Sequence, residues 1–363
     1  MWGVKGKVLV LVVVFVGFGA VCALAGGGKG AAKRPTAKDL LDKYAETQNK
    51  LKSFIIKFNN ICNSISSKPG MPKHKRKIYK TNEVRFDGNR YKILQYISGD
   101  VFSTHISRDD PAYRNWLWDG KTIFVYTRSS KEYYEKTGKN SLGSISIYQK
   151  MRDSLKPRRM INSSADAYLC GFFNSDIERV DSILRQGNIV KVRDKMIEVS
   201  GSECYVIDGF TKHGKYTVWI DPQHGYNIAK ATVHKKETDL YIGKPMAKGS
   251  KVQSYLENVR FEKIDNVWLP IEANIKCITN YSGRDNRYSG LGSSKYKYHH
   301  KRINVIINPD HDALVSFAPN FPNGAKVRFE PQKPKGHTWQ DGKVVDEDGK
   351  EVDLDKLKKR KRK

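Results

Sequence analysis

From Phe54 onward, apolar and polar residues alternate with period two and are punctuated by turn residues, a pattern that predicts a chain built mainly of strands. Glu83 to Phe86 and Arg90 to Ile97 flank Asp87-Gly88-Asn89 and predict one hairpin; Trp116 to Trp118 and Lys121 to Tyr126 flank Asp119-Gly120 and predict a second. Further on, strands are expected to recur in pairs. Ile189 to Val192 and Met196 to Val199 are joined by Arg193-Asp194-Lys195, and Cys204 to Asp208 matches Lys215 to Ile220. Asn227 to Lys235 follows the turn Asp221-Pro222-Gln223-His224-Gly225, Leu256 to Ile264 and Val267 to Ile278 meet at Asp265-Asn266, and Arg302 to Ile307 makes a last strand.

Helical periodicity appears in three places. Thr36 and Asp39 form a capping pair ahead of the stripe Leu40, Leu41, Tyr44, Gln48 and Leu51, which predicts a helix ending near Lys52. A short helix is expected over Ile147 to Leu155. The capping box Ser175-Asp176-Ile177-Glu178 should open another that runs through Leu184 and stops at Gly187, with Ile177, Val180, Ile183 and Leu184 as its apolar face. The expected fold class is therefore mainly β (α+β): a curved antiparallel sheet forming a half-closed barrel, with the N-terminal and mid-chain helices packed on its concave side.

Both ends differ from this body. Residues 1–25 carry Lys5 and Lys7, an apolar run from Val8 to Phe18 and small residues ending Ala23-Leu24-Ala25, the layout of a cleaved signal peptide; an uncleaved membrane anchor is the alternative. Residues 26–35 are rich in Gly, Ala and Lys and read as a flexible linker, leaving 36–308 as the half-barrel domain. Pro319, Pro322, Pro331 and Pro334 then break up an appendage, 309–355, with turns at Asp341-Gly342 and Asp348-Gly349 and one or two small hairpins. The chain closes with a basic tail, 356–363.

The 363 residues include 66 Lys and Arg against 38 Asp and Glu, a formal charge of +28. Hydrophobic residues at 39% rule out wholesale disorder, so the charge sits on a folded body. Without Lys5 and Lys7 the charge is +26, and without the seven cations of the tail it is still +19. Basic clusters lie at Lys68 to Lys80 and at Arg284 to Arg302, the second interleaved with Tyr288, Tyr296 and Tyr298, a texture that suits single-stranded nucleic acid. Export argues against that partner. An anionic membrane or cell-wall surface is the expected one, contacted by Lys358, Lys359, Arg360, Lys361, Arg362 and Lys363, each charge contributing about 1 kcal/mol near such a surface.

Leu51-Lys52-Ser53-Phe54-Ile55-Ile56-Lys57-Phe58, at the helix-to-strand entry, and Trp118-Asp119-Gly120-Lys121-Thr122-Ile123-Phe124-Val125-Tyr126, a D-G-K-x-x-x-x-Y hairpin, resemble segments of the LolA-like superfamily of periplasmic lipoprotein carriers. Tyr216-Thr217-Val218-Trp219-Ile220-Asp221-Pro222 and Val267-Trp268-Leu269-Pro270-Ile271 resemble its closing strands. The resemblance covers about residues 36–308. It implies a half-open barrel whose concave face, lidded by helices, is an apolar cavity for acyl chains. The chain departs from it in its greater length, its basic loops and its cationic tail, and no motif here places the family's lid-holding arginine.

Such a carrier needs apolar lining and no catalytic group. The candidates for lining are Trp116, Trp118, Phe124, Tyr126, Trp219 and Trp268, with core packing as the competing role for each. His299-His300 would point to opposite faces of a strand and make a poor chelating pair, and Asp310-His311-Asp312 reads as a turn. No G-x-S-x-G, H-E-x-x-H or P-loop occurs, so no enzyme activity, cofactor or metal is expected. Beyond the signal segment Cys62, Cys170, Cys204 and Cys277 allow three disulfide pairings or remain buried thiols. The expected function is an exported, non-enzymatic carrier or binder of a lipid or lipoprotein acyl chain, at work in the periplasm or envelope. The alternatives are an envelope sensing or protein-binding module on the same fold, with an envelope protein as partner, and an enzyme acting on an anionic wall polymer.

Overall fold

A computed structural model describes residues 34–67, 72–101, 104–138, 142–148, 165–174, 176–241, 243–282, 292–330 and 336–354. The signal segment, residues 26–33 of the linker, residues 149–155 of the expected helix and the basic tail lie outside them. Helix α1 (Ala37–Asn49) starts as its capping pair dictates: the Thr36 hydroxyl accepts from the Asp39 amide and the Asp39 carboxylate accepts from the Thr36 amide. Leu40, Leu41, Tyr44 and Gln48 form its buried stripe. It ends three residues short of Lys52, and Leu51 leads into the first strand.

A meander follows: β1 (Phe54–Ser67), β2 (His74–Phe86), β3 (Tyr91–Val101), β4 (Thr104–Ile106), β5 (Ala112–Trp118), β6 (Ile123–Arg128), the short helix α2 (Lys131–Thr137) and β7 (Ser144–Tyr148). A 3-10 helix (Ala165–Cys170) and α3 (Val180–Arg185) precede β8 (Ile189–Val192), β9 (Ile197–Val199), β10 (Ser202–Thr211), β11 (Gly214–Asp221) and β12 (Asn227–Lys235). The small ribbon of β13 (Leu240–Tyr241) and β14 (Lys244–Pro245) leads to β15 (Lys251–Ile264), β16 (Val267–Asn280) and β17 (Ser293–Ile307). The last strands are β18 (Lys326–Glu330), β19 (His337–Gln340) and β20 (Lys343–Val345).

The main sheet is curved and does not close. Its order is β8, β10, β11, β12, β15, β16, β17, β1, β2, β3, β5, β6, β7, β18, β19, β20; every pair is antiparallel except β7 with β18. The antiparallel sheet with helices on one face is thus the fold that the alternation predicts, and both early hairpins close where expected, at Phe86 opposite Tyr91 and Trp118 opposite Ile123.

Three local expectations are corrected. Ile147 and Tyr148 belong to strand β7, because their alternation matches β6. Strands β8 and β9 do not pair with each other; both pair with β10, end to end along it. Helix α3 begins at Val180, after the expected box, with Arg179 as an N-cap that makes no side-chain cap bond; Asp176 is bonded instead to Tyr216 and Lys235, and Ser175 lies outside the described residues.

The face of the sheet that carries α1, the 3-10 helix and α3 is called inner. Over β10, β11, β12, β15 and β16 it is filled: Leu40, Tyr44, Phe173, Ile183, Val218 and Leu256 belong to one cluster. Burying each large aliphatic side chain contributes roughly 1.5–3 kcal/mol. On the outer face of β5, β6 and β7, residues of the 309–354 region provide the cover, with Phe321, Val327 and Trp339 against Leu117, Phe124 and Ile147.

Candidate functional site

Residues 165–179 cross the inner face and are pinned at both ends by buried charges. At the first anchor Asp166 lies under β17: Arg302 Nε donates to Asp166 Oδ1 at 2.8 Å and Nη2 to Oδ2 at 2.9 Å, while His300 Nε2 lies 2.9 Å from Oδ1. The Arg302 fork also reaches the Pro270 carbonyl at 2.8 Å and Cys170 Sγ at 3.3 Å. Burial alone would raise the Asp166 carboxyl, but the charge of Arg302 and the bonds from His300 and Arg302 outweigh it and hold it well below the usual carboxylate range. His300 and Arg302 meet Asp166 together because residues two apart on a strand share a face.

At the second anchor Asp176 accepts from Lys235 Nζ at 2.6 Å and from the Tyr216 hydroxyl at 2.7 Å, and Lys235 also donates to the Leu240 carbonyl at 3.0 Å. Here burial prevails over Lys235 and Tyr216, and the carboxyl is pushed up to about 6. Between the anchors the chain passes over Tyr44. Gly171 has φ +80°, and a Cβ there would stand 2.1 Å from the Tyr44 hydroxyl oxygen, so both conformation and space call for glycine.

The pinned segment forms one wall of a cleft of about 760 Å³, within the range of small-molecule sites. Leu51, Phe54 and Phe86 face Phe172 and Ile177 across it, with Glu178 and Arg179 at its polar side. The Phe54 and Phe86 rings meet at a tilt, with centroids 5.4 Å apart.

From that cleft the inner face of β1, β2, β3, β5 and β6 continues as cross-strand rows, because directly opposed residues share a face. The first row is Phe54, Phe86, Tyr91, Trp118 and Ile123; the second is Ile56, Val84, Ile93, Trp116 and Val125. Both are apolar throughout, Tyr91 included by its ring. The third row changes character: Phe58, Asn82, Gln95, Arg114 and Thr127. The fourth holds Asn60, Lys80, Ile97 and Ala112. The Phe58 ring lies tilted against His300 at 4.7 Å, which places these rows on the side of the Asp166 anchor.

On the outer face the two basic clusters of the sequence meet. Lys75 of β2 and Lys295 of β17 flank Ile65 of β1, and Lys77 and Lys297 flank Asn63, with Lys276 of β16 directly opposite Lys297. Like charges opposed in this way disfavour the sheet.

The six lining candidates separate into several environments. Trp116 and Trp118 lie half-buried on the inner rows. Phe124 and Tyr126 lie on the outer face in contact with Phe321. Trp219 packs with Cys204, Val206 and Ala229, with Lys230 Nζ 5.1 Å above its ring. Trp268 meets His224 edge-on at 4.7 Å beside the Asp221–Gly225 turn. All four cysteines are free thiols. His299 is exposed and bonded to Asn274 while His300 is buried, and Asp310 accepts from the amides of Asp312 and Ala313 as a turn residue does. Among the described residues no group of three or more His, Cys, Asp or Glu could hold a metal ion, and no helix is long and apolar enough to cross a membrane. Sequence reasoning missed Asp166, Asp176, Lys235 and Arg302. For Lys235 and Arg302 the local signal is a charge at a position where the strand alternation points inward; Asp166, in the 3-10 helix, and Asp176, outside any strand, carry none.

No family model and no curated protein matches the chain. Among solved structures, one described as an outer membrane lipoprotein-sorting protein domain from Vibrio parahaemolyticus is 11% identical, with 74% of this chain and 92% of that one covered and a TM-score of 0.32. A LolA superfamily protein from Nitrosomonas europaea is 13% identical over 79% and 99%, with a TM-score of 0.31. A lipovitellin structure concerned with lipid–protein interactions is 10% identical, covers 70% of this chain and 26% of its own, and has a TM-score of 0.28. These LolA-superfamily, lipoprotein-sorting and lipovitellin structures are what the chain is similar to, each at a TM-score under 0.5.

Proposed function

We propose that this protein is an exported, non-enzymatic binder or carrier of a lipid or lipoprotein acyl chain. The observation that carries the reading is the cleft of about 760 Å³ whose apolar walls are Leu51, Phe54, Phe86, Phe172 and Ile177. Acyl surface buried there would contribute about 0.8 kcal/mol per methylene. The segment 165–179 serves as the cover, and its two buried anchors keep a rigid wall opposite Phe54 and Phe86. The outer-face lysines on β2, β16 and β17, together with the tail lysines and arginines, suit an anionic envelope surface: their alignment opposes sheet stability, which gives the arrangement a reason outside folding.

The test is lipid extraction of the purified protein followed by mass spectrometry, with titration of a fluorescent acyl probe into delipidated protein. Saturable binding that Phe86→Asp weakens at least about tenfold is expected, the charge being buried in the cleft wall. No co-purified lipid and no saturable probe binding would refute the carrier reading. Flotation with anionic vesicles, compared with neutral ones, tests the docking surface separately.

A further inference from the structure

The turn that follows β17 carries apolar side chains outward. Leu314 is 51% and Val315 65% exposed, and Ile306, near the end of β17, is 40% exposed. Val315 also has φ +47°, in the left-handed region, where a β-branched residue is strained. For folding, valine is ill-suited to this position on two counts: asparagine or glycine fits the angle better, and a polar side chain fits the exposure better.

The turn itself is firmly held. Ser316 and Phe317 are buried, the His311 ring lies tilted against Phe317 at 4.8 Å, and His311 Nε2 is 3.0 Å from the Phe86 carbonyl oxygen. Arg85 Nη1 donates to Ser316 Oγ at 3.4 Å and Lys92 Nζ to the Ala318 carbonyl at 3.2 Å. Of the two acids at its base, Asp312 pairs with Arg90 at 2.9 Å and Asp310 accepts from the amides of Asp312 and Ala313. Leu314 and Val315 are thus presented on a rigid mount.

That mount stands at the rim of the cleft. Phe86, whose carbonyl faces His311, and Gly88, in the turn that Arg90 ends, both line the cleft. The Asn308 amide donates to the Ser53 carbonyl at 2.9 Å, which ties the same segment to the α1–β1 connection that supplies Leu51 and Lys52 to the cleft. Lys50 and Lys52 of that connection are exposed and have no acidic partner among the described residues. Ile306 shares an outer-face row with Ile55 and Arg85, and Arg85 holds the turn. An exposed apolar tip beside free cations, at the mouth of a cleft for hydrocarbon, has the make-up of an element that enters a lipid interface.

We propose that Leu314, Val315 and Ile306 insert into the head-group boundary of an anionic bilayer and seat the cleft mouth on it, with Lys50 and Lys52 against the lipid phosphates. This rests on the acyl-binding reading for its purpose, since a chain then passes between membrane and cleft without crossing water. It adds to the outer-face lysines, which attract charge, an element that enters hydrocarbon.

The experiment uses the chain from residue 26 onward, because the apolar run Val8 to Phe18 would partition into lipid by itself. Flotation on mixed phosphatidylcholine and phosphatidylglycerol vesicles is compared for wild type and the double variant Leu314→Ser with Val315→Asn, which should bind about ten-fold or more weakly. A bimane label on Leu314→Cys should shift to the blue on those vesicles and be quenched by doxyl lipids, while the same label on Lys195→Cys, in the exposed β8–β9 turn, should do neither. Burial keeps the native thiols protonated, so brief labelling leaves them unmodified. Val315→Asn alone should keep or raise the urea midpoint. A drop in that midpoint, flotation unchanged in the double variant, or a Leu314→Cys label blind to vesicles overturns the anchor. So does a concentration-dependent dimer that the double variant abolishes, which gives the patch to a second copy. Titration of the acyl probe in solution separates the two readings: wild type and double variant should bind it equally, and a wild type that floats but binds no probe refutes the cleft and leaves the anchor standing.

Discussion

Replacing Arg302 by methionine isolates the Asp166 anchor. Arg302 makes two bonds to the Asp166 carboxylate, one to the Pro270 carbonyl and one to Cys170 Sγ, and both charged partners are almost fully buried. Methionine keeps much of the aliphatic stem and removes the charge, so Asp166 is left buried with His300 and the Cys170 thiol as its remaining partners. Breaking a buried pair from one side costs about 3–5 kcal/mol, a large share of the 5–15 kcal/mol typical of a domain. The assay is urea denaturation followed by tryptophan fluorescence and by far-ultraviolet circular dichroism. In a double-mutant cycle Asp166→Leu with Arg302→Met should recover a substantial part of that loss, because no uncompensated charge then remains. Because the folded Asp166 carboxyl is depressed, its contribution is fully present above the unfolded value of about 4 and fades as pH falls below it. The Arg302→Met penalty should therefore shrink in acid. A loss under about 1 kcal/mol at neutral pH, or a double variant as unstable as the sum of the two singles, would refute the latch.

Other outcomes follow from single contacts. Thr36→Ala removes one half of the reciprocal α1 cap and should lower stability by about 1 kcal/mol, read as a shift in the urea midpoint. Asp176 behaves oppositely to Asp166: its folded carboxyl is raised to about 6, so its ionisation works against the fold as pH climbs from about 4 to about 6. Asp176→Asn should flatten that part of a pH series of urea midpoints, and an unchanged slope would exclude Asp176 as its source. Burial pushes the Cys204 and Cys170 thiols up to about 12 and Cys277 to about 11, so at pH 8 only about one thiol in ten thousand at Cys204 is thiolate. Iodoacetamide should label the native protein very slowly and the urea-unfolded protein readily; fast native labelling would contradict the buried thiols.

What the amino-acid order determined alone is local. Alternation and turn residues place the β2–β3 and β5–β6 hairpins, and Thr36 with Asp39 sets the start of α1, because each depends on neighbours within a few residues. The same locality explains the errors. Ser175 to Glu178 has the form of a capping box, yet α3 starts only at Val180: Asp176 is held by Lys235, 59 residues away, and Glu178 accepts from Gln186. Ile147 follows a strand partner that helical periodicity could not reveal. Alternation separated Trp116 and Trp118 from Phe124 and Tyr126 as two faces of one hairpin, but what covers the second face, Phe321 and Trp339 about two hundred positions on, lay outside its reach. Tertiary structure alone decided the site: it brought Asp166 to Arg302, gathered two distant basic clusters on one outer face, and set Lys80 and Arg114 on the inner one. Those juxtapositions are made by strand order and register, which long-range pairing selects and no short window of sequence contains.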